Sequence, residues 1–305
     1  MKPRAGPVTA PSIDFDTPAA GNWSISKLLP TIEPTIIFPA MSELVDQVGI
    51  GKRFFLIAGN CVVEDEATSL ETARYLKKLC GEYQLPLVYK SSFRKANRLS
   101  GESFSSIGDQ AALDILAKIK RDLELPLLTD IHETSDIPLI GDIDILQIPA
   151  FLCRQTLLIQ AAAATGKWVN IKKGQFMAPE NMKDAASKAA VLNRKRVMLT
   201  ERGTSFGYNN LIVDFRSLVI MKQFGFPVVF DATHSVQRPG GLGNSTGGDR
   251  EYIIPLAQAA AAVGIDGLFV ETHPNPARAK SDAASQVPLK EMPLLLDAVL
   301  RIVRR

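Results

Sequence analysis

Eight short apolar runs, rich in β-branched and aromatic residues and each ending in polar chemistry, punctuate this chain from Phe54 onward. They are FFLIAG, LPLVYKSSF, LPLLTDI, DILQIPA, WVNIKK, RVMLTERG, PVVFDAT and GLFVETH. Near-continuous apolar strands need cover on both faces, which is the habit of parallel sheets. Between the runs lie segments such as SLETARYLKKLCGEY, DQAALDILAKIKRDL and YIIPLAQAAAAVGI, with apolar residues at helical spacing. Eight strands, each followed by a helix, in about 250 residues predict an α/β fold, the (β/α)8 TIM barrel. A doubly wound open sheet is the alternative, but no G-x-G-x-x-G follows the first run.

Ahead of the barrel, Pro3, Pro7, Pro11, Pro18 and Pro30 break up a stretch with little periodicity. Residues 1–33 are expected to form a flexible tail and residues 34–305 a single catalytic domain, with PTIIFPAM as a short strand beneath it. Charge excludes two large classes of partner. Against 35 Lys+Arg stand 32 Asp+Glu, a formal net charge of only +3. A chain that binds nucleic acid or an anionic membrane is usually basic overall or carries a basic face, so neither partner is expected. No apolar run approaches the roughly 18 residues of a membrane span, and the N-terminus lacks a signal peptide's apolar segment. Cys61, Cys80 and Cys153 stand at unrelated spacings, without a disulfide framework, which fits a cytoplasmic protein.

In such barrels the active site is built at the C-terminal ends of the strands. Those ends hold Asn60 and Cys61, Lys90 and Ser92, Asp130 and His132, Gln147, Lys172 and Lys173, Arg202, Asp231 and His234, and Glu271 and His273. Scattered surface charge would not respect that register. One group is cationic: Lys90, Lys95, Arg98, Lys172 and Arg202. Arginine forks match phosphate oxygens two at a time and lysine adds a point charge. Five cations are too many for one phosphate monoester, so two phosphorylated ligands, or one ligand with several anionic groups, are expected. A second group joins Cys61, His234, Glu271 and Asp282, whose thiolate, imidazole and carboxylates suit a divalent transition metal rather than Mg²⁺ or Ca²⁺. Cys80, Cys153, Met177, Met182 and the two tryptophans read as packing. GGLGNSTGG (Gly240 to Gly248) reads as a mobile lid, since glycine permits the backbone changes of closure.

From about Phe54 to the C-terminus the chain resembles the 3-deoxy-D-manno-octulosonate 8-phosphate synthases, in their metal-dependent branch. The resemblance rests on KSSFRKANR, LTDIHE, LQIPAFLCRQT, NIKKGQF, TERGTSFGYNNLIVDFRS, FDATHSVQ, FVETHPNP and SDAASQVPL. It implies a homotetrameric (β/α)8 barrel that condenses phosphoenolpyruvate with D-arabinose 5-phosphate and water, releasing phosphate, for lipopolysaccharide synthesis.

The resemblance also implies roles. Lys90, Asn97, His132, Lys172, Arg202 and His234 are implied as catalytic, and Ser92, Lys95, Arg98, Asp130, Gln147, Ala150, Arg154 and Phe206 as substrate-binding. Within that set Lys90, the Ala150 backbone, Lys172 and Arg202 would hold phosphoenolpyruvate. Lys95-Ala96-Asn97-Arg98 would hold the sugar, with Arg98 on its phosphate, and Arg154 would reach a neighbouring subunit's sugar phosphate. Cys61, His234, Glu271 and Asp282 would hold one divalent metal (Mn, Zn, Fe or Co), because the metal-free branch carries Asn in place of Cys61 and CDG in place of Ser281-Asp282-Ala283. The sister family, which uses erythrose 4-phosphate to make a heptulosonate 7-phosphate, typically shows KPRT where this chain has KANR. Leu99 departs from the Ser or Thr expected, and the N-terminal tail is longer than expected. The alternatives are that heptulosonate activity and a non-catalytic phosphosugar-binding barrel.

Overall fold

A computed structural model describes residues 43–96, 100–193, 196–240 and 247–303, all within one compact unit, Phe38–Arg305. The expected tail, its boundary and the PTIIFPAM strand lie outside the described residues.

All eight expected strands form. They are β1 (Phe55–Gly59), β2 (Leu87–Lys90), β3 (Leu127–Asp130), β4 (Ile145–Ile148), β5 (Trp168–Lys172), β6 (Val197–Glu201), β7 (Val228–Asp231) and β8 (Gly267–His273). Each pairs in parallel with its neighbour in chain order, and β8 returns to pair with β1 from Phe55↔Gly267 to Gly59↔Glu271. The sheet is therefore a closed barrel without a free edge. Helices α1 (Glu66–Glu82), α2 (Asp109–Leu123), α3 (Thr156–Ala164), α4 (Met182–Ala190), α5 (Arg216–Lys222), α6 (Ile253–Val263) and α7 (Met292–Val303) provide the cover such strands need. Asp65 caps α1 by accepting from the Thr68 amide at 2.7 Å. Among the described residues no helix is long and apolar enough to cross a membrane.

One expectation fails in detail. β3 is followed by a 3-10 helix, Thr134–Leu139, and not by an α-helix. Only fourteen residues separate Asp130 from Ile145, and Pro138 inside the segment has no amide to donate.

Period-two alternation splits the apolar residues into two layers. Leu56, Leu87, Leu127, Leu146 and Leu268 face outward and pack with helix residues such as Leu76, Leu116 and Ile159. Ile57, Val88, Leu128, Ile145, Met198, Val229 and Phe269 form a separate cluster that fills the lumen. Val45, Val48 and Ile50, on and just after a short helix (Glu43–Val48), join it at the foot of the barrel. Apolar side chains thus seal the lower lumen, and the next inward positions on each strand face the upper mouth.

β1 and β2 approach so closely at the mouth that a Cβ added to Gly59 would lie 2.0 Å from the Lys90 carbonyl oxygen. Gly81, on exposed α1 backbone, has nothing within 4 Å. Gly59→Ala should therefore lose at least about 1–3 kcal/mol in urea unfolding. Gly81→Ala should hold or gain up to about 1 kcal/mol. Equal unfolding midpoints for the two variants would refute the close approach.

Candidate active site

The inward register explains which polar residues meet. Two positions beyond Val88, Leu128, Ile145, Val229 and Phe269 come Lys90, Asp130, Gln147, Asp231 and Glu271; two and four beyond Met198 come Thr200 and Arg202. A hydrogen-bonded chain crosses four strands, β6 to β3, and ends at Ser92 just beyond β2. Thr200 Oγ1 donates to Asn170 Oδ1 at 2.6 Å, Asn170 Nδ2 to Gln147 Oε1 at 2.9 Å, and Gln147 Nε2 and Ser92 Oγ both donate to Asp130. Each buried polar group in that chain has a partner, which fixes one orientation for the whole layer.

Above it lies a cavity of about 560 Å³ lined by ion pairs. Lys90 Nζ lies 2.5 Å from Glu271 Oε1 and also donates to the Cys61 carbonyl at 3.0 Å. Lys172 Nζ lies 2.6 Å from Asp231 Oδ2 and 3.9 Å above the Phe269 ring. Lys95 Nζ comes within 3.9 Å of Glu271 Oε1. Burial alone would raise the Glu271 carboxyl, but Lys90, His234 and Lys95 overcome it and hold it below the usual carboxylate range. Asp130 is held down against burial by Lys90 and Lys95, and Asp231 by His234 and Lys172. Burial lowers the Lys172 ammonium against the attraction of Asp231, and lowers His132 against Asp130 and Asp136, favouring a neutral imidazole at neutral pH.

Arg202 differs from the lysines. Its Nη2 donates to Gln237 Oε1 at 2.9 Å, while Nη1 is buried without a hydrogen-bond partner. Among the described residues no carboxylate lies within ion-pair range of it. A desolvated guanidinium with an unmet donor, on the wall of a cavity, is a seat for an external anion.

The expected metal ligands also converge. One ligand atom each from Cys61, Glu271 and Asp282 lie within 4.8 Å of one another. His234 Nε2 is 3.6 Å from Glu271 Oε2 and 3.8 Å from Asp282 Oδ2. Its Nδ1 sits 2.8 Å from Asp231 Oδ2, at ion-pair range but off the line of a hydrogen bond. Glu271 Oε2 is buried and has no hydrogen-bond partner. Asp282 holds a left-handed backbone, φ 49°, unusual for any residue but glycine. Burial first, then the Glu271 charge, push the Cys61 thiol well above its ordinary range, and a cation at this point would reverse that. The donors fit a thiophilic divalent ion.

Other expected residues fare unevenly. His132 and Ala150 line the cavity, and Ser92 supports it through Asp130. Asn97, Arg98, Leu99 and residues 241–246 of the glycine-rich segment lie outside the described residues; Gly247–Gly248 pairs antiparallel with Gln237–Arg238. Phe206 does not reach the cavity: it is 68% exposed beside a separate hollow with Phe176 and Ile212. It follows a two-residue strand, Thr204–Ser205, that pairs antiparallel with Leu211–Ile212. Arg154 is exposed outside the cavity of its own chain. Lys173, one residue past an inward position, is fully buried against Glu201 (3.5 Å) and Thr204 (2.8 Å). Asn60 likewise points outward, accepting from Tyr89 Oη at 2.8 Å and donating to Thr72. Gln237, Lys280 and Ser281 line the cavity without having been expected there. They lie six or more residues beyond a strand, too far for a rule that stops at strand ends.

Comparison with known proteins agrees with this geometry. Residues 39–300 match the DAHP synthetase I family. The chain is 55% identical over 265 residues to a 2-dehydro-3-deoxyphosphooctonate aldolase of Burkholderia mallei, covering 85% of this chain and 93% of that one. Proteins of the same name from Burkholderia multivorans and Paraburkholderia xenovorans are each 54% identical, over 84% and 85% of this chain and 93% of theirs. The chain belongs to the DAHP synthetase I family and, within it, groups with the 2-dehydro-3-deoxyphosphooctonate aldolases.

Proposed function

We propose that this chain condenses phosphoenolpyruvate with D-arabinose 5-phosphate and water, giving 3-deoxy-D-manno-octulosonate 8-phosphate and phosphate for lipopolysaccharide biosynthesis. The observation that carries this reading is the desolvated Arg202 guanidinium, its Nη1 without a partner, in a cavity that also holds Lys90, Lys95 and Lys172. The relatives' shared name supports the identity of the product.

In this reading Arg202, Lys172, Lys90 and the Ala150 backbone bind phosphoenolpyruvate. Lys95, Asn97 and Arg98 take the sugar phosphate, whose aldehyde then meets C3 of the enol. Bringing two anions into contact is a task of positioning and charge, and Lys90, Lys95 and Lys172 are already held by their own ion pairs. Gln147 and Asp130, locked within the hydrogen-bonded layer, form the floor on which the substrates rest. A neutral His132 carries one N–H and one lone pair, and is suited to pass a proton to the former aldehyde oxygen. Water adds at C2, and phosphate leaves by cleavage of the C–O bond. Cys61, His234, Glu271 and Asp282 would hold a divalent metal (Mn, Zn, Fe or Co), which supplies Lewis-acid polarisation when bound. Three unpaired thiols support a cytoplasmic location. A homotetramer is inferred, in which the exposed Arg154 serves a neighbour's sugar phosphate.

A substrate panel tests the reading. Released phosphate should show kcat/KM for arabinose 5-phosphate well above that for erythrose 4-phosphate. Equal or better use of erythrose 4-phosphate would assign the heptulosonate reaction instead, and no phosphate with any aldose would leave a binding protein.

Arg202→Ala should cost about 3 kcal/mol or more of transition-state binding, roughly 100-fold or more in kcat/KM. Its melting temperature should stay near wild type, because among the described residues the side chain's one hydrogen bond is to Gln237. Near-wild-type turnover in the folded variant would remove Arg202 from the site.

A chelator should abolish activity, and Mn²⁺, Zn²⁺, Fe²⁺ or Co²⁺ should restore it. The protein should stay folded throughout, since the lumen core does not depend on the ion. Cys61→Ala should lose metal and activity together, whereas Cys61→Asn should keep some chelator-resistant turnover. Full turnover by metal-free enzyme in excess chelator would refute the four-ligand site.

A further inference from the structure

Four cations crowd the segment KSSFRKANR, and the function above uses three of them. Lys90 and Lys95 line the cavity and Arg98 is assigned to the sugar phosphate, but Arg94 does not reach the cavity. Its guanidinium bridges three carboxylates instead. Nη1 lies 2.6 Å from Asp109 Oδ2, while Nη2 lies 2.5 Å from Asp136 Oδ1 and 3.5 Å from Glu133 Oε1. The fork also stacks 5.1 Å from the centre of the Phe93 ring. The side chain is about three-quarters buried and Asp136 almost wholly so, so this is no loose surface pair.

The three carboxylates belong to different parts of the mouth. Asp109 opens α2, and Glu133 and Asp136 sit in the turn after β3. Asp136 is shared between two tasks. Its Oδ1 takes Arg94, and its Oδ2 accepts the backbone amides of His132 at 2.8 Å and Glu133 at 3.2 Å. On the other side, Arg94 is followed directly by Lys95, whose backbone is laced to Ser105 in both directions, at 3.0 Å and 2.7 Å. A bonded path therefore runs from Lys95 through Arg94 and Asp136 to His132, joining two cavity residues in the separate loops that follow β2 and β3. Lysine could not reproduce it, because a single ammonium cannot span two carboxylates as a planar fork does.

We propose that Arg94 is a positioning residue for the aldose phosphate, setting Lys95 relative to His132 by clamping Asp109 and Asp136. The proposal rests on the functional reading above. It places Arg94 outside the phosphoenolpyruvate contacts, so its loss should act on one substrate and not the other. A merely structural ion pair would weaken both, along with the fold.

The experiment compares Arg94→Met, Arg94→Lys, Asp136→Asn and the Arg94→Met/Asp136→Asn pair with wild type, measuring kcat, both KM values and the melting temperature. Arg94→Met should raise KM for arabinose 5-phosphate about tenfold or more, as a small misplacement of a binding group does. KM for phosphoenolpyruvate should stay within about twofold. Arg94→Lys should recover part of the loss, and the double variant should be little worse than the poorer single, since both break one path. If Arg94→Met does not fold, Arg94→Lys and Asp136→Asn should show the same split. Unmoved KM for the sugar in a folded variant, or both KM values rising together as the melting temperature falls, would overturn the proposal. Wild-type enzyme is the control: no phosphate release there sinks the functional reading itself, whereas normal release with an unmoved Arg94→Met sinks the positioning role alone.

Discussion

A carboxylate with no access to solvent, Glu271, sets the terms for everything at the mouth of this barrel. Taking an ion out of water costs several kcal/mol even after the surroundings relax, unless opposite charge and hydrogen bonds replace the lost hydration. Glu271 receives Lys90 at 2.5 Å, Lys95 at 3.9 Å and the His234 ring at 3.6 Å, yet its second oxygen has no hydrogen-bond partner. Its place in the barrel is fixed by closure: β8 pairs with β1 so that Glu271 registers with Gly59, where the missing side chain lets the Lys90 backbone pass. The tight seam between β1 and β2 and the buried charge therefore depend on each other. Lys90 can reach Glu271 only because Gly59 leaves room.

That arrangement distributes the work. Lys90 and Lys172 are each tied to a carboxylate, which orients them without solvent and keeps their fields in a low-dielectric cavity. Arg202 is not so tied. Among the groups facing the cavity it is the cation whose unmet donor points to an external anion. From the neighbouring strand ends of β7, β8 and β1 and from Asp282, the thiol, imidazole and carboxylates crowd together in a way that repels negative charge unless a cation joins them. The anion seat and the carboxylates of the candidate metal cluster thus share one cavity, with Lys90 tied to Glu271 of that cluster.

The barrel was legible because burial on both faces leaves a strong mark: an apolar strand with no alternation can only be covered twice. The same property hid which strand-end residues turn inward. Lys172 and Lys173, or Asn60 and Cys61, look equivalent in the chain. The structure shows that only Lys172 and Cys61 continue the inward register set by Trp168 and Ile57. Counting in twos from the lumen residues separates them. Phe206 and Arg154 were placed by resemblance alone, and neither meets the cavity of its own chain. Gln237, in a two-residue strand outside the barrel, and Lys280, in a loop, escape because neither lies in a run long enough to carry a period that says where a side chain points. Nothing in KSSFRKANR sets Arg94 apart from the cations around it, since a run of like charge does not reveal the distant carboxylates that neutralise it.

The central claim, condensation by attack at the enol with departure of phosphate through its C–O bond, is tested most directly by isotope tracing. Phosphoenolpyruvate carrying oxygen-18 in the bridge between C2 and phosphorus is incubated with arabinose 5-phosphate and metal-loaded enzyme, and the products are followed by phosphorus NMR. The account requires inorganic phosphate that retains the label, appearing in step with a new sugar monophosphate. Unlabelled phosphate, or phosphate released without the sugar product, would contradict it.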